Sequence, residues 1–534
     1  MGHWLRCLSL IVFLAASQPA AVHAASVGQI LAELAFDLSG TWKIAYDRRN
    51  VGLTQGWQKK PPSEVYDIRV PSCFEETREG AGYDGVVWYF TNFIVPDEFR
   101  GNALYLEFAA VNYACRVWLN GIELGGHEGG YHRFCLAVGS AVRWSEQNDL
   151  VVRVVDPGRV PVDGLTLDSI PHGKESWYFN FGGIYGQVRL LAKPAMTIED
   201  IFVSANPQTG NVTVALEIEN RESAPANTQI RVKVVPRRQG REVASVEQDV
   251  QLTSGTNRVS VAVSVANPQL WSPDSPFLYR LTATLGSLSS RQVDFGFRSF
   301  TIEQGEFRLN GKPVFLRGVL YQPYFPAMLA CPIPDHPSLW PSLRIEAQQI
   351  KQAGFNMVRF HASVAPPDFL NGADALGLMV IEEPSIGWPE SGGERLAKAC
   401  LAEVGDMVLR DRNHPCVVAW GTVSQATGEL AKLTDQLARR ALDLDPSRPV
   451  FGNWPASWAE ASQRTMFVYL PGQSEPMAIG GGQVFPRFPL SDQEQLRLGS
   501  LGASSPLAFL AAVGPGGVGN PRADLEKFAG REYL

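Results

Sequence analysis

The chain has 534 residues, which is too many for one ordinary domain and predicts two to four domains. Its composition is that of a folded globular protein, because 45% of the residues are hydrophobic and 19% are charged. The formal net charge of -7 argues against nucleic acid and anionic membrane surfaces as partners.

The N-terminus has the pattern of a secretory signal peptide. One positive charge precedes a short apolar run from Cys7 to Ala16, and small side chains follow, with Val22 and Ala24 at the positions that signal peptidase reads. The run is too short to cross a bilayer, and no later segment is long and apolar enough to do so. We therefore predict that residues 1–24 are removed and that the mature protein is secreted or periplasmic.

Export permits disulfide bonds, but the mature chain has few cysteines and no CxxC pair of the kind that binds metal. A bridge between Cys115 and Cys135 on neighbouring strands is one interpretation, and buried thiol groups are the other. No metal-ligand cluster, phosphate loop or dinucleotide motif is evident, so we predict no metal and no cofactor.

Two β-rich regions come first in the chain. Residues 25–193 contain short alternating runs such as ALYLEF and DLVVRVV, broken by Gly, Asn and Pro, which predicts strands and turns. Residues 194–300 contain VTVALEIE and RVSVAVSV, the alternation expected of a two-sheet sandwich.

Strands alternate with helices from residue 301 onwards. VFLRGV, NMVRFH, LMVIEEP and VVAWGT have the pattern of short buried strands, and IEAQQIKQAG and RLAKACLAEVGDMVLRD have that of helices. This alternation predicts a parallel sheet, and eight such units close a barrel of ~250 residues. Residues 301–534 are therefore predicted to form a (β/α)8 barrel that is complete or lacks its last unit.

Motifs along nearly the whole mature chain resemble glycoside hydrolase family two, which includes β-glucuronidases and β-galactosidases. They are DLSGTWKIAYDR, VWYFTNFIVP and WYFNFGGIYGQVRLL in the first region, and FRLNGKPVFLRGV, GFNMVRFH and RDRNHPCVVAW in the barrel. The resemblance implies a multidomain β plus α/β fold with a jelly-roll β-sandwich, an immunoglobulin-like β-sandwich and a TIM barrel. It also implies an oligo- or polysaccharide ligand.

Gln425 stands where the resemblance places the catalytic acid/base. Retaining β-glycosidases need two carboxyl groups ~5 Å apart, and barrels carry such groups at the carboxyl ends of strands. The family motif similar to RDRNHPCVVAW continues to an Asn-Glu pair, which aligns with Ser424 and Gln425. An amide has nearly the shape of a carboxyl group but cannot exchange a proton near neutral pH. Glu429 is predicted to lie in the following helix.

Ala512 stands where the resemblance places the nucleophile, because PLAFLAAVG is similar to the family pattern that ends strand seven. Alanine has no nucleophilic atom. A second alignment puts the nucleophile at Ser474-Glu475 in PGQSEP, which lacks the preceding apolar strand. A catalytic pair rebuilt from Glu382 and Glu383 is a third interpretation.

Side chains near other strand ends are predicted to contact sugar, and the histidine that usually follows in the family is replaced by Ala362. The predicted sugar-contacting residues are Arg359, His361, Trp388, Trp420, Ser424 and Tyr469. Three of them have structural alternatives. These are an ion pair with Glu382 or Glu383 for Arg359, a core hydrogen bond for His361, and barrel packing for Trp420.

The two degenerate positions predict a secreted glycosidase-like protein that has lost hydrolysis and that binds or scaffolds polysaccharide, with proteins of polysaccharide synthesis or export as potential partners. One alternative is an active retaining β-glycosidase, β-glucuronidase-like, that hydrolyses O-glycosyl bonds with non-standard carboxylates. The other is an assembly protein unrelated to carbohydrate. Aryl β-glycoside turnover and oligosaccharide binding by the purified protein separate the three.

Overall fold

A computed structural model of the chain describes residues 33–178, 180–303, 306–322, 340–454, 465–484 and 508–513. The predicted signal peptide, residues 1–24, and the C-terminal Leu534 lie outside these ranges. Within them, no helix combines the length and the apolar composition that crossing a bilayer requires.

The first region is a sandwich of two antiparallel sheets. Its strands are β1 (Leu34–Asp37), β2 (Gly40–Tyr46), β3 (Tyr66–Val70), β4 (Gly85–Ile94), β5 (Ala103–Phe108), β6 (Ala114–Leu119), β7 (Ile122–Glu128), β8 (Phe134–Ala137), β9 (Gln147–Asp156) and β10 (Val188–Lys193). One sheet has the order β1-β10-β5-β8 and the other the order β3-β2-β4-β9-β6-β7. Trp42, Tyr89 and Phe108 are buried in the apolar core of this sandwich. This is the predicted jelly-roll sandwich.

The interpretation of Cys115 and Cys135 as a disulfide bridge is wrong, because both are free thiols. Cys115 lies on β6 and Cys135 on β8, which belong to different sheets of the sandwich. Cys115 is buried and Cys135 is exposed.

The second region is a seven-stranded sandwich of the immunoglobulin-like type. Its strands are β11 (Met196–Ala205), β12 (Asn211–Asn220), β13 (Ala226–Pro236), β14 (Ala244–Leu252), β15 (Gly255–Ser264), β16 (Tyr279–Leu285) and β17 (Ser289–Phe295). The sheets have the orders β11-β12-β15 and β14-β13-β16-β17. Every second residue of β12 is buried between the sheets, as the alternation of NVTVALEIEN predicts.

The third region begins with a small antiparallel sheet and continues into an eight-stranded one. The strands are β18 (Phe300–Glu303), β19 (Glu306–Leu309) and β20 (Lys312–Pro313), then β21 (Gly318–Tyr321), β22 (Met357–Phe360), β23 (Met379–Glu382), β24 (Val417–Ser424), β25 (Val450–Trp454), β26 (Thr465–Tyr469), β27 (Met477–Val484) and β28 (Ala508–Val513). The helices are α1 (Trp340–Gln352), α2 (Pro367–Leu376), α3 (Gly393–Asp411), α4 (Gly428–Lys432) and α5 (Thr434–Leu444).

The eight-stranded sheet forms the TIM-type barrel, with one departure from the regular repeat. Its strands follow chain order from β21 to β28, and the first five are parallel, with helices between them. Strand β26 runs antiparallel to β25, and β27 runs antiparallel to β26. The connection from Trp454 to Thr465 is shorter than the dozen or so residues that a parallel crossover needs. A reversal of direction is therefore the expected result of its length.

The barrel core continues into both sandwiches. Tyr131 and Phe181 of the first sandwich and Trp271 of the second belong to the same buried apolar cluster as the barrel strands. The indole N–H of Trp271 also donates a hydrogen bond of 2.9 Å to the carbonyl oxygen of Asp374 in α2. Both sandwiches therefore pack against the barrel.

Candidate functional site

Gln425 lies directly after β24, at the carboxyl end of the fourth barrel strand. Its backbone has φ of 56°, in the left-handed region that residues other than glycine rarely adopt. The Gln425 N–H donates 2.7 Å to the carbonyl of Trp454. The side chain of Asn453 donates to and accepts from the backbone of Ala426, at 2.8 and 2.9 Å. The strand end is therefore fixed to β25, and it presents an amide where the resemblance places a carboxyl group.

Arg359 and Glu383 form a buried ion pair behind this strand end. Arg359 Nε is 2.5 Å from Glu383 Oε1, and the two side chains are 1% and 0% exposed. Arg359 Nη2 donates to the hydroxyl of Ser424 at 3.4 Å, which connects the pair to the end of β24. Its guanidinium lies 4.0 Å from the ring centroid of Trp454. Arg359 therefore forms the ion pair with Glu383 that was the structural alternative to sugar contact.

Glu383 is ionised and His361 is neutral near pH 7. Burial alone would raise the pKa of Glu383, but Arg359, His361 and the backbone N–H of Ala362 stabilise its carboxylate more strongly and lower the pKa to about 2. His361 Nδ1 is 3.3 Å from Glu383 Oε2, and the Ala362 N–H donates to the same oxygen at 2.8 Å. Burial lowers the pKa of His361 to about 4, against the opposing influence of Glu383. Glu383 is therefore a fixed negative charge and not a proton donor.

Glu382 is also fully buried. Its Oε1 accepts 2.8 Å from the N–H of Ala365 and lies 3.4 Å from Nη2 of Arg410. Burial and the nearby carboxylate of Asp411 raise the pKa of Glu382. Neither glutamate at this strand end presents an accessible ionised oxygen to a ligand.

Two buried histidines make the stability of the protein depend on pH. Burial lowers the pKa of both His172 and His361 to about 4, whereas an unfolded histidine titrates near 6.5. The unfolded chain therefore binds more protons at these two sites between these values, so the stability that the neutral histidines contribute is fully present above about pH 6.5 and is lost towards pH 4. In urea titrations, the change in the free energy of unfolding from pH 5 to pH 7 should be about 2 kcal/mol less positive in His361→Gln than in the unmodified protein. The comparison cancels the opposing contribution of buried carboxyl groups such as Glu382, whose pKa is raised, and an unchanged difference would contradict the assignment.

A loop of the first sandwich, residues 171–178, crosses to the barrel and is called the crossing loop below. The His172 N–H donates to the carbonyl oxygen of Ile386 at 3.1 Å, and the Gly173 N–H donates to that of Ser385 at 2.8 Å. Both acceptors lie in the segment that follows β23. The crossing loop is therefore pinned by backbone hydrogen bonds beside the carboxyl end of a barrel strand.

The crossing loop brings a lysine and an aromatic side chain to the barrel mouth. The Lys174 ammonium lies 4.5 Å from the ring centroid of Trp388 and 5.4 Å from that of Trp177. Trp177 is 52% exposed, and Trp388 is half-buried beside it, with ring centroids 5.4 Å apart. The Tyr178 hydroxyl donates 3.3 Å to Gln322, just after β21. Sequence reasoning missed Lys174 and Trp177; the signal was the aromatic run WYF that follows the polar stretch HGKES.

Trp388 stands near His361, as the predicted site requires, but Trp420 does not. The rings of His361 and Trp388 are 5.8 Å apart. The indole of Trp420 is fully buried, and its N–H donates 3.0 Å to Asp445, which follows α5. The guanidinium of Arg448 lies 5.4 Å from its centroid. Because protein covers the ring, the assignment of Trp420 to sugar contact is corrected to barrel packing.

Tyr469 and the Ser474-Glu475 pair lie away from the predicted site, because β26 runs antiparallel to β25. Tyr469 ends β26 and lies opposite Val450, the first residue of β25, whereas the candidate site is at the other end of that strand. Ser474 and Glu475 lie in the turn that follows Tyr469, at the same far end, and Glu475 is exposed. We correct both assignments, because a strand of opposite direction carries its last residue to the opposite edge.

Ala512 lies near the carboxyl end of β28, the eighth strand of the sheet and not the seventh. Its backbone is opposite Gln483 of β27, and β28 runs parallel to β27. Two reversals between β25 and β27 restore the original direction, so this strand end is at the same edge as Gln425. Glu429 lies in α4, as predicted, where its carboxylate pairs with Lys432 at 2.6 Å.

One group in the described part of the chain has donors of the type that bind metals. Donor atoms of Asp374, His414 and Cys416 lie within 4.8 Å of one another. Asp374 accepts from the Cys416 N–H at 2.9 Å and lies 2.6 Å from Nδ1 of His414. Asp374 thus forms hydrogen bonds with both His414 and Cys416, and these bonds connect α2 to the segment just before β24.

Three family descriptions match successive parts of the chain. "Glycosyl hydrolases family 2, sugar binding domain" covers residues 36–194, "Glycosyl hydrolases family 2" covers 196–298, and "Glycosyl hydrolases family 2, TIM barrel domain" covers 300–469. Two sandwiches and a barrel with a strand-end site define a glycosidase-type protein. The chain belongs to glycosyl hydrolases family 2.

Relatives of known activity include β-glucuronidases and β-galactosidases. The β-glucuronidase of Paenibacillus borealis is 25% identical over 467 residues, which cover 78% of this chain and 73% of the relative. The β-galactosidase of Thermoanaerobacter pseudethanolicus is 28% identical over 382 residues, 69% of this chain and 49% of the relative, so this chain spans about half its length. The β-glucuronidase from Ruminococcus gnavus in complex with D-glucuronic acid has the same fold, with a TM-score of 0.66 and 23% identity over 80% of this chain and 73% of that one.

Proposed function

We propose that this family member binds oligo- or polysaccharide at the mouth of its barrel without hydrolysing it. The observation that carries the proposal is Gln425, an amide at the strand end where bond cleavage requires a proton donor. The two glutamates beside this position support it, because Glu382 and Glu383 are fully buried.

Loss of the general acid at position 425 is by itself enough to lower the rate of hydrolysis severely. A positioned general acid contributes roughly 10²- to 10⁴-fold to such reactions. The Gln425 amide donates hydrogen bonds but does not release a proton. Glu383 is held ionised by Arg359 at 2.5 Å, so it has no proton to give, and its side chain is closed to solvent.

The second requirement of a retaining mechanism is a carboxylate nucleophile across the scissile bond. Position 512, whose backbone lies at the same edge of the sheet as Gln425, is an alanine, and alanine has no carboxylate. The competing candidate Glu475 lies in the turn after β26, at the far end of β25. The topology therefore favours loss of both functions over a relocated pair among the described residues.

Binding chemistry is retained at the barrel mouth. Trp177 offers an exposed indole face, and pyranose rings stack their C–H faces on such surfaces. Trp388 and the Lys174 ammonium lie beside it, and the Gln425 amide is half-buried. An aromatic face with nearby hydrogen-bond donors is the combination that carbohydrate ligands need.

Two measurements on the purified protein test the proposal. Aryl β-D-glucuronides and β-D-galactosides, the substrates implied by the relatives' names, should not be cleaved above the buffer rate. Affinity electrophoresis with oligo- and polysaccharides should show retarded migration, weakened about ten-fold in Trp177→Ala, which removes roughly 1.5 kcal/mol of stacking. Phe315→Ala, at an exposed aromatic residue outside the site, is the matched control and should bind normally.

Each alternative predicts a different outcome. Turnover by the unmodified protein that disappears on removing Glu475 or Glu383 would identify an active β-glycosidase with non-standard carboxylates. Absence of any saccharide binding, with no turnover, would favour an assembly protein unrelated to carbohydrate. Retarded migration without turnover supports the proposed binding protein and neither alternative.

We also propose that the protein acts after export and that its domains span residues 25–193, 194–300 and 301–534. The support for export is the pattern of residues 1–24, and the mass of the exported chain, beginning at residue 25, tests it. Proteins of polysaccharide synthesis or export are the partners that such a location favours.

A further inference from the structure

The Lys174 side chain has no counter-charge bound to it among the described residues. The side chain is only 4% exposed, and the described residues offer its nitrogen no hydrogen bond or ion pair. Its neighbours are instead the indole faces of Trp388 and Trp177, at 4.5 and 5.4 Å.

The surroundings of Lys174 disfavour its charged form. Burial lowers the pKa of Lys174 to about 7, and the nearby guanidinium of Arg359 acts in the same direction. Glu383 opposes the shift, but its carboxylate is already paired with Arg359 at 2.5 Å. Proteins make amines nucleophilic by this combination, an apolar pocket and a second cation.

We propose that Lys174 is a nucleophilic amine that condenses reversibly with the aldehyde of an open-chain reducing sugar at the barrel mouth. The inference rests on the proposed function, since a saccharide ligand brings its one carbonyl group at the reducing end. Trp177 and Trp388 then hold the sugar beside the amine and exclude water from the bond that forms.

The reaction balances without a cofactor. The neutral amine attacks the aldehyde carbon and forms a C–N bond, and the former carbonyl oxygen becomes a hydroxyl group. That oxygen leaves as water with the two hydrogens of the amine, which yields an imine and one water molecule per sugar. Hydrolysis reverses the step, so the linkage is a reversible capture.

Lys193 provides a matched comparison within the same chain. It is also buried, at 8% exposed, and its ammonium also lies over an aromatic ring, 5.1 Å from the centroid of Tyr105. It differs in having a bound counter-charge, because its nitrogen is 2.7 Å from Glu199 Oε2. Burial and aromatic contact are therefore shared, but within the described part of the chain Lys193 has an ion partner and Lys174 has none.

Reductive trapping of the full-length protein tests the inference. The protein is incubated at pH 7 with sodium cyanoborohydride and either glycolaldehyde or a reducing oligosaccharide, and labelled lysines are located by peptide mass spectrometry. Lys174 should carry at least about ten times the label of Lys193, because burial lowers the pKa of Lys174, whereas the Lys193 nitrogen is held by the carboxylate of Glu199. Lys174→Met should abolish this label and leave that on other lysines unchanged.

The outcomes separate this inference from the proposed function. Label on Lys174 no greater than on Lys193 with glycolaldehyde overturns the reactive amine. Label from glycolaldehyde but from no reducing oligosaccharide overturns the capture of sugars. The corresponding oligosaccharide alditol, which has no carbonyl group, should bind without labelling, and its failure to bind would count against the proposed function alone.

Discussion

Replacing Gly387 by alanine should detach the crossing loop from the barrel and lower both stability and saccharide affinity. Gly387 has φ of 70°, and a Cβ there would overlap the carbonyl oxygen of Gly173 and stand 2.8 Å from the ring of His172. The left-handed conformation costs alanine about 1–2 kcal/mol, and the forced overlap adds about 1–3 kcal/mol. We expect a total loss of about 2–5 kcal/mol, measured by urea unfolding, and at least about ten-fold weaker oligosaccharide binding.

Gly393→Ala is the matched control for this variant. Gly393 has φ of 55°, and a Cβ built there meets no atom within 4 Å. It should therefore show only the backbone cost of about 1–2 kcal/mol and should bind saccharide normally. Equal effects of the two substitutions would mean that contact between Gly387 and the crossing loop does not hold the site together.

The position of Gln425 could be derived from sequence because β24 is sharply bounded. Charged and turn-forming residues end at Pro415, and the apolar run that follows is buried along its whole length, from Val417 to Ser424. Buried parallel strands have such continuous apolar runs, so both ends of the strand were evident in the sequence. The same motif placed Glu429 in the next helix.

That continuous burial also explains why Trp420 was misplaced. A barrel strand is covered on both faces, so its sequence shows no alternation that would tell an inward side chain from one directed at the helices. The direction of a strand is equally absent from its apolar pattern. TMFVY predicts a strand ending at Tyr469, but only the short connection before it indicates the reversal.

Lys174 and Trp177 lie far from the barrel motifs in sequence, and the aromatic run that contains Trp177 does not show that this segment reaches the barrel. Their placement depends on the backbone hydrogen bonds of His172 and Gly173 to the segment after β23. Neither the crossing loop nor the segment after β23 has a regular sequence pattern. The contact between them is therefore evident only in the folded chain. The family resemblance predicted the site residues on the barrel strands, but it did not predict those on the crossing loop of the first sandwich.

Replacing Arg359 by methionine should be the most destabilising of the substitutions at the barrel mouth. It leaves the carboxylate of Glu383, which is 0% exposed, without its counter-charge 2.5 Å away. Breaking a buried pair from one side costs about 3–5 kcal/mol, because the remaining charge must stay unpaired or take up a proton. Urea unfolding at pH 7 should show this loss, and the double variant Arg359→Met, Glu383→Gln should recover part of it, since it removes both charges of the pair.

The exposed pair of Arg395 and Glu128 is the control, because it has similar geometry in a different environment. Arg395 Nη2 is also 2.5 Å from its partner, but both side chains are 44% exposed, and water solvates either charge alone. Arg395→Met should therefore cost less than about 1 kcal/mol. A cost for Arg359→Met as small as this would show that Glu383 is not held ionised. The fixed charge at the barrel mouth, on which the loss of acid catalysis partly rests, would then be absent.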